Sequence, residues 1–133
     1  MKHIEWDAQY EVGDEKLDQQ HQRLVAIINR LGEAIESGNE RPVLMNILSD
    51  LTGYTKTHFA AEELAMKQAD FSGIEEHRNQ HANLNRQLAD FYRNFYISSR
   101  PQAHEVLAFL RSWLYDHILE QDKQYVTSLD AMK

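Results

Sequence analysis

With 133 residues, 14 Lys and Arg against 21 Asp and Glu, and a formal charge of −7, the chain is acidic, which disfavours a phosphate-backbone partner or an anionic membrane surface. It has no cysteine, so a disulfide framework, a zinc ribbon, an iron–sulfur cluster and a thiolate haem are all excluded. The length fits one domain over residues 1–133, able to bury a core without disulfides. The longest apolar runs, Leu24 to Ile28 and Val106 to Leu110, stop at five residues, far short of the ~20 that a membrane span needs. The start, Met1-Lys2-His3-Ile4-Glu5-Trp6, lacks the apolar stretch of a signal peptide. The expectation is a soluble cytoplasmic protein without nucleic acid or stable membrane insertion. Its oligomeric state is left open, a monomer being compatible with everything in the sequence.

Only five glycines and two prolines punctuate the chain, and they fall between helical patterns. Trp6 and Tyr10 belong to an arm before the first helix and are expected to pack on the body. In the first helix Leu17, His21, Leu24, Ile28, Leu31 and Ile35 alternate steps of four and three, starting near Asp18 and closing at Ser37-Gly38-Asn39. Asp18 is either a helix cap or a neighbour of the site. Pro42 suits the first turn of a second helix whose seam reads Ile47, Leu51, Tyr54, His58 and Glu62, fading near Gln68 to Asp70. After Ser72-Gly73 comes the third seam, Ile74, His77, His81, Leu84, Leu88, Phe91 and Phe95. Pro101 reopens the chain, and Ala103, Leu107, Leu110, Leu114 and His117 form the fourth. The tail from Lys123 reads as a short extra helix or turn. The fold class is all-α: an antiparallel up-down-up-down four-helix bundle with an N-terminal arm and a short tail helix.

Five of the seven histidines lie on these inward seams, where an unpaired polar group is costly. Residues four apart on a helix differ by only about 40° around its axis, so His58 with Glu62, and His77 with His81, point the same way. His117 and Asp122 are five apart, about 140° on a regular helix. The helix is therefore expected to end between them, with Asp122 returning from an irregular last turn. In an antiparallel bundle His21, His58/Glu62, His77/His81 and His117 share one end of the core. Five imidazoles and two carboxylates are the inventory of a two-metal site. His3 and His104 lie off the seams and are left out, and Glu33, Glu36, Glu40, Asp50, Glu75 and Glu76 read as solvated helix faces.

These elements carry a resemblance. Val12-Gly13 with Asp18-Gln19-Gln20-His21, then His58-Phe59-Ala60-Ala61-Glu62, His77-Arg78-Asn79-Gln80-His81, and His117-Ile118-Leu119-Glu120-Gln121-Asp122 with Tyr125 resemble a hemerythrin, specifically a single-domain bacterial one. The resemblance spans nearly the whole chain. It implies a non-haem di-iron centre with an oxo or hydroxo bridge. His77, His81 and His117 would cap one iron and His21 and His58 the other, while Glu62 and Asp122 bridge both. Two octahedral irons then keep one open position, on the His21/His58 iron. The implied function is reversible O2 binding for transport, storage or delivery, with O2 held there as hydroperoxide, in a binder and not an enzyme. Leu24, Phe59, Trp113 and Leu114 resemble the family's O2 pocket residues, the alternative being ordinary core packing. Tyr125 is placed to touch the ligands from behind or to cap the bundle end.

Other readings are a di-iron oxidase or ferroxidase, an O2 or redox sensor, and a zinc or structural metal site. Ferritin-like oxidases use a Glu-x-x-His step on two helices, and this chain has none. An imidazole-rich set also stabilises high-valent iron less than a carboxylate-rich one. Zinc prefers four ligands, and seven donors converge. For a sensor, no attached output domain or linker is expected from these residues, which leaves sensing through a separate partner.

Overall fold

The computed structural model describes residues 4–97 and 103–131, with the side chains at 40 and 95–97 left undescribed. His3, Pro101 and the side chains of Glu40 and Phe95 lie outside the described residues. A short 3-10 turn, Ala8–Tyr10, precedes four long helices: α1 (Glu15–Glu36), α2 (Glu40–Gln68), α3 (Ile74–Ile97) and α4 (Ala103–Tyr115). The chain then passes through a π-helical segment, Asp116–Gln121, and a 3-10 turn, Asp122–Tyr125, into α5 (Val126–Asp130). α1 packs on α2 and α4, and α2 on α3, which gives the expected antiparallel four-helix bundle with an arm and a tail helix. No helix among the described residues is long and apolar enough to cross a membrane.

The helix ends follow from local chemistry. α1 starts three residues before the expected point because Asp14 caps it, its side chain accepting from Leu17 N–H. Asp18 is therefore no cap. It sits in the first turn and accepts from Val12 N–H at 2.7 Å, which ties the arm to the helix. At the other end Asn39 N–H reaches Ala34 C=O at 2.8 Å while Gly38 takes φ 73°, the left-handed residue this closure requires and glycine adopts freely. α2 closes in the same way, with Phe71 N–H on Met66 C=O and Asp70 at φ 54°, a conformation that aspartate tolerates better than most residues.

The seams face inward as their periodicity requires. Leu17, Leu24, Ile28, Leu31, Ile47, Leu51, Leu84, Leu88, Leu107, Leu110 and Leu114 are all buried. One apolar cluster, from Leu24 and Phe59 through Leu84, Leu114 and Ile118 to Leu44 and Val106, fills the long part of the bundle. A smaller one, Val12, Leu17, Met66, Tyr125 and Leu129, closes one end. The two clusters flank the histidines. Leu17 lies one turn before His21 and Leu24 one step after it, Met66 one turn after Glu62, and Leu114 and Tyr125 lie on either side of His117 and Asp122. The arm packs on the large cluster through Ile4, Trp6 and Tyr10, the two aromatic rings stacking at 5.3 Å. Buried Asn29 clamps it, accepting from Ile4 N–H at 2.9 Å and donating to Ile4 C=O at 2.8 Å.

Candidate metal centre

His117 and Asp122 must share one face to act together, and the chain achieves this without ending its helix. Asp122 N–H donates to His117 C=O, an i→i+5 bond that widens the turn to admit one extra residue. The expected break is thus a π turn that runs on into helical structure. The irregularity lies where the five-residue spacing demands it, and both side chains enter the core.

All seven expected donors are buried, with His21, His58, Glu62, His117 and Asp122 at 0% exposure and His77 and His81 at 3% and 2%. Their reactive atoms converge. Asp122 Oδ2 lies 3.0 Å from His21 Nε2, and Asp122 Oδ1 lies 3.0 Å from His77 Nε2 and 3.2 Å from His117 Nε2. Glu62 Oε2 is 3.1 Å from His21 Nε2, and Glu62 Oε1 is 3.0, 3.2, 3.5 and 3.8 Å from Nε2 of His81, His117, His58 and His77. Two ligands each about 2.1 Å from one metal and at right angles to each other are about 3.0 Å apart. Most of these separations match such an edge.

Several of the contacts are short yet misaligned. Nε2 of His58, His77 and His81 and both Asp122 carboxylate oxygens make no hydrogen bond although they are buried. Buried polar atoms without partners are rare in folded proteins. Here they aim at common points between them, which is the arrangement a cation completes. Two overlapping groups, His21/His58/Glu62/His117 and Glu62/His77/His81/His117, each hold their ligand atoms within 4.8 Å of one another and have Glu62 and His117 in common.

The backs of the rings are held as well. His58 Nδ1 faces Gln20 Oε1 at 2.7 Å, His81 Nδ1 faces Glu63 Oε2 at 3.0 Å, and His117 Nδ1 faces Gln121 Oε1 at 3.4 Å. These contacts fix ring orientation and turn Nε2 toward the centre. Tyr125 donates to Glu62 Oε2 at 2.8 Å, which places it behind a ligand as expected, and its ring also closes the bundle end. Phe59 stacks on His81 at 3.7 Å with the planes 4° apart, and Trp113 stacks on His117 at 4.6 Å and 13°. Leu24 and Leu114 are fully buried in the large cluster that borders the histidines. Trp113 also lines a cleft of about 200 Å³ between α3 and α4, with Gln80, Gln87, Asp116 and Gln121. His104 is exposed. Sequence reasoning assigned no role to Gln20, Glu63 or Gln121. The signal available was their position, next to His21, next to Glu62 and four residues after His117.

Charge balance explains how the centre tolerates burial without metal. Burial disfavours a charge on His21 and His77, but the adjacent Asp122 and Glu62 carboxylates outweigh it and lift them to about 10 and about 9. Burial holds His58 down at about 4, with Glu62 only partly compensating. Burial also opposes the Glu62 charge, yet His117 and His58 hold that carboxyl well below its ordinary range. The raised imidazoles of His21 and His77 thus lie against the Asp122 and Glu62 carboxylates, and in a metal-free chain their protons would take the role of cations.

A family model described as the hemerythrin HHE cation binding domain matches residues 12–129. The chain belongs to the hemerythrin family. It is similar to the bacteriohemerythrin of Pseudomonas aeruginosa, 30% identical over 129 residues that cover 97% of this chain and 83% of that protein. It is also similar to the myohemerythrin of Riftia pachyptila, at 32% identity over 93% of this chain and 92% of that protein. Among solved structures, a wild-type hemerythrin superposes with a TM-score of 0.85 at 27% identity, covering 95% of this chain and 97% of that chain. A leucine-to-alanine variant of a hemerythrin gives 0.86 at 26% identity over 97% and 98%. The hemerythrin fold therefore extends through the arm and the tail helix.

The raised imidazoles set a pH dependence. Groups whose folded value lies above the unfolded 6.5 contribute stability that is complete below 6.5 and lost as pH rises through the folded value. For His21 and His77 that loss falls between about pH 7 and 10. His58 has the opposite sign, its contribution being present above 6.5 and lost as pH falls toward 4. Urea unfolding of the metal-free chain should therefore show a midpoint that declines from pH 7 to pH 10, while the metal-loaded chain stays level over that range. Equal metal-free midpoints at pH 7 and 10 would contradict the proton-for-cation balance.

Proposed function

We propose that this chain binds O2 reversibly at a pair of iron ions held by His21, His58, Glu62, His77, His81, His117 and Asp122. The observation that carries this reading is the convergence of seven buried donors, among which Nε2 of His58, His77 and His81 and both Asp122 oxygens are left without hydrogen-bond partners. His77, His81 and His117 would hold one iron, His21 and His58 the other, and Glu62 and Asp122 would be shared between them. When bound, two ferrous ions supply the two electrons that O2 accepts and take them back on its release. The hemerythrin names of the relatives support iron and O2 as metal and ligand.

The remaining work falls to this chain's own residues. Tyr125 is raised well above its ordinary range by burial and by the Asp122 and Glu62 charges. It therefore stays a phenol and donates steadily to Glu62, fixing the carboxylate that both metals share. Phe59 and Trp113 cover the faces of His81 and His117, which blocks water from that side. Leu24 and Leu114 are the apolar residues beside His21 and His117 that keep the centre dry, and dryness protects the reduced charge state. Five imidazoles against two carboxylates place little negative charge around the metals, which suits electron return over the deep oxidation an oxidase requires.

The reduced, iron-loaded chain should develop a visible absorption band on mixing with O2 that disappears when O2 is removed, without sustained O2 consumption in the presence of a mild reductant. Continuous consumption coupled to oxidation of added ferrous iron or an organic substrate would favour an oxidase. The apolar wall is tested alongside. Leu114→Ala and Leu88→Ala should each cost ~2–5 kcal/mol through lost packing and the cavity left behind, but only Leu114→Ala should hasten loss of the reversible band. Equal decay in the two folded variants would make Leu114 ordinary packing.

A further inference from the structure

The five imidazoles are not held alike. His58 and His117 present Nδ1 to the neutral amide oxygens of Gln20 and Gln121, and His21 Nδ1 is buried without a partner. His81 presents Nδ1 to a carboxylate, Glu63 Oε2, at 3.0 Å. Its other nitrogen lies 3.0 Å from Glu62 Oε1. Two consecutive glutamates of α2 therefore bracket one ring of α3. A one-residue step turns a helix by about 100°, so Glu62 points into the centre while Glu63 reaches the ring from outside. Phe59, flat against the same ring, removes its remaining freedom.

Glu63 does not hang free. Arg78 Nε donates to its Oε1 at 3.2 Å, and Arg78 Nη1 donates to Glu75 Oε1 at 2.6 Å. The division of labour is clean: Oε1 takes the guanidinium and Oε2 keeps the ring. Glu75 returns the charge that Arg78 removes, so two carboxylates against one guanidinium leave the group behind His81 net negative. Glu63 is 28% exposed, which weakens its field through solvent without breaking a direct hydrogen bond. A carboxylate that accepts from Nδ1–H draws that proton away and enriches the ring in electrons, making Nε2 a stronger donor. A neutral amide does this less.

We propose that Glu63 is a positioning residue that makes His81 a stronger imidazole donor than His21, His58 or His117, so that the two metal positions differ in redox potential and the metal on His81 is oxidised first. The inference rests on the di-iron reading above. Stronger donation favours the higher metal charge, and the Gln20 side, lacking a carboxylate, holds the metal that is easier to keep reduced. That is also the side on which an open position is expected. The second electron then leaves from the metal that O2 meets.

The test is an anaerobic redox titration of the iron-loaded full chain, with ferricyanide removing one electron per iron and dithionite restoring it, followed by the paramagnetic signal of the half-oxidised state. Parent protein should pass through a clearly populated half-oxidised state. Glu63→Gln keeps the size and an acceptor oxygen but removes the charge; it should retain two irons per chain, move the average potential upward, and cut the maximum half-oxidised fraction several-fold. Gln20→Glu places a carboxylate behind His58 instead, and should move the average potential downward while shrinking the same fraction. Unchanged titrations in both variants, or a Glu63→Gln shift that leaves the half-oxidised fraction at the parental level, overturn the proposal. If Glu63→Gln loses iron, Gln20→Glu decides alone, a smaller fraction supporting the inference and an unchanged one overturning it. Parent protein without two irons would instead overturn the di-iron reading on which the inference stands.

Discussion

Two carboxylates buried at 0% exposure at one end of an apolar bundle set the terms for everything around them. An ionised carboxylate removed from water is stable only beside compensating charge and well-placed hydrogen bonds. Glu62 receives Tyr125 and two imidazoles, but Asp122 has neither oxygen in a hydrogen bond and relies on the imidazoles of His21, His77 and His117 nearby. Without metal, the compensation comes from protons on His21 and His77. With metal, the same atoms become ligands and the protons leave, so metal affinity and folding stability are two readings of one balance.

The architecture around this balance is arranged to protect it. The donors come from α1, α2, α3 and the segment that follows α4, and apolar clusters lie on either side of them. Regular helices supply three of the four contributions through four-residue or single placements. The fourth needs a carboxylate five residues beyond its histidine, and the π turn after α4 supplies it at the cost of one irregular hydrogen-bond ladder. The arm is tied to α1 by Asp18 and Asn29 and to the tail by Lys123 on Glu11 C=O, and it lies along the large cluster with Val12 reaching the end.

Much of this was legible before any coordinates. Alternating steps of three and four placed His21, His58, His77, His81 and His117 inward because a helix repeats its face at that interval, and every one is buried. Glu62 followed from the same interval. The five-residue step to Asp122 pointed to an irregularity but could not tell a broken helix from a widened one, since both bring the carboxylate round. Glu63 and Gln20 were illegible for a different reason: a polar residue beside a ligand has the pattern of a solvated face, and only the packing of α2 on α3 and of α1 on α2 turns it toward a ring. Trp113 shows the same limit. Its place one turn before His117 fits a pocket wall, yet its stack on His117 and its edge in the α3–α4 cleft depend on how far those two helices stand apart.

The central claim is that seven side chains form one centre for two irons, and metal analysis of the purified chain tests it most directly. After expression in iron-replete medium, two irons per chain are predicted, with haem absent and zinc well below stoichiometric, and iron lost on His77→Ala but retained on His104→Ala. An iron-to-chain ratio near one, zinc in excess of iron, or a His77→Ala protein with its full iron complement would contradict the assignment.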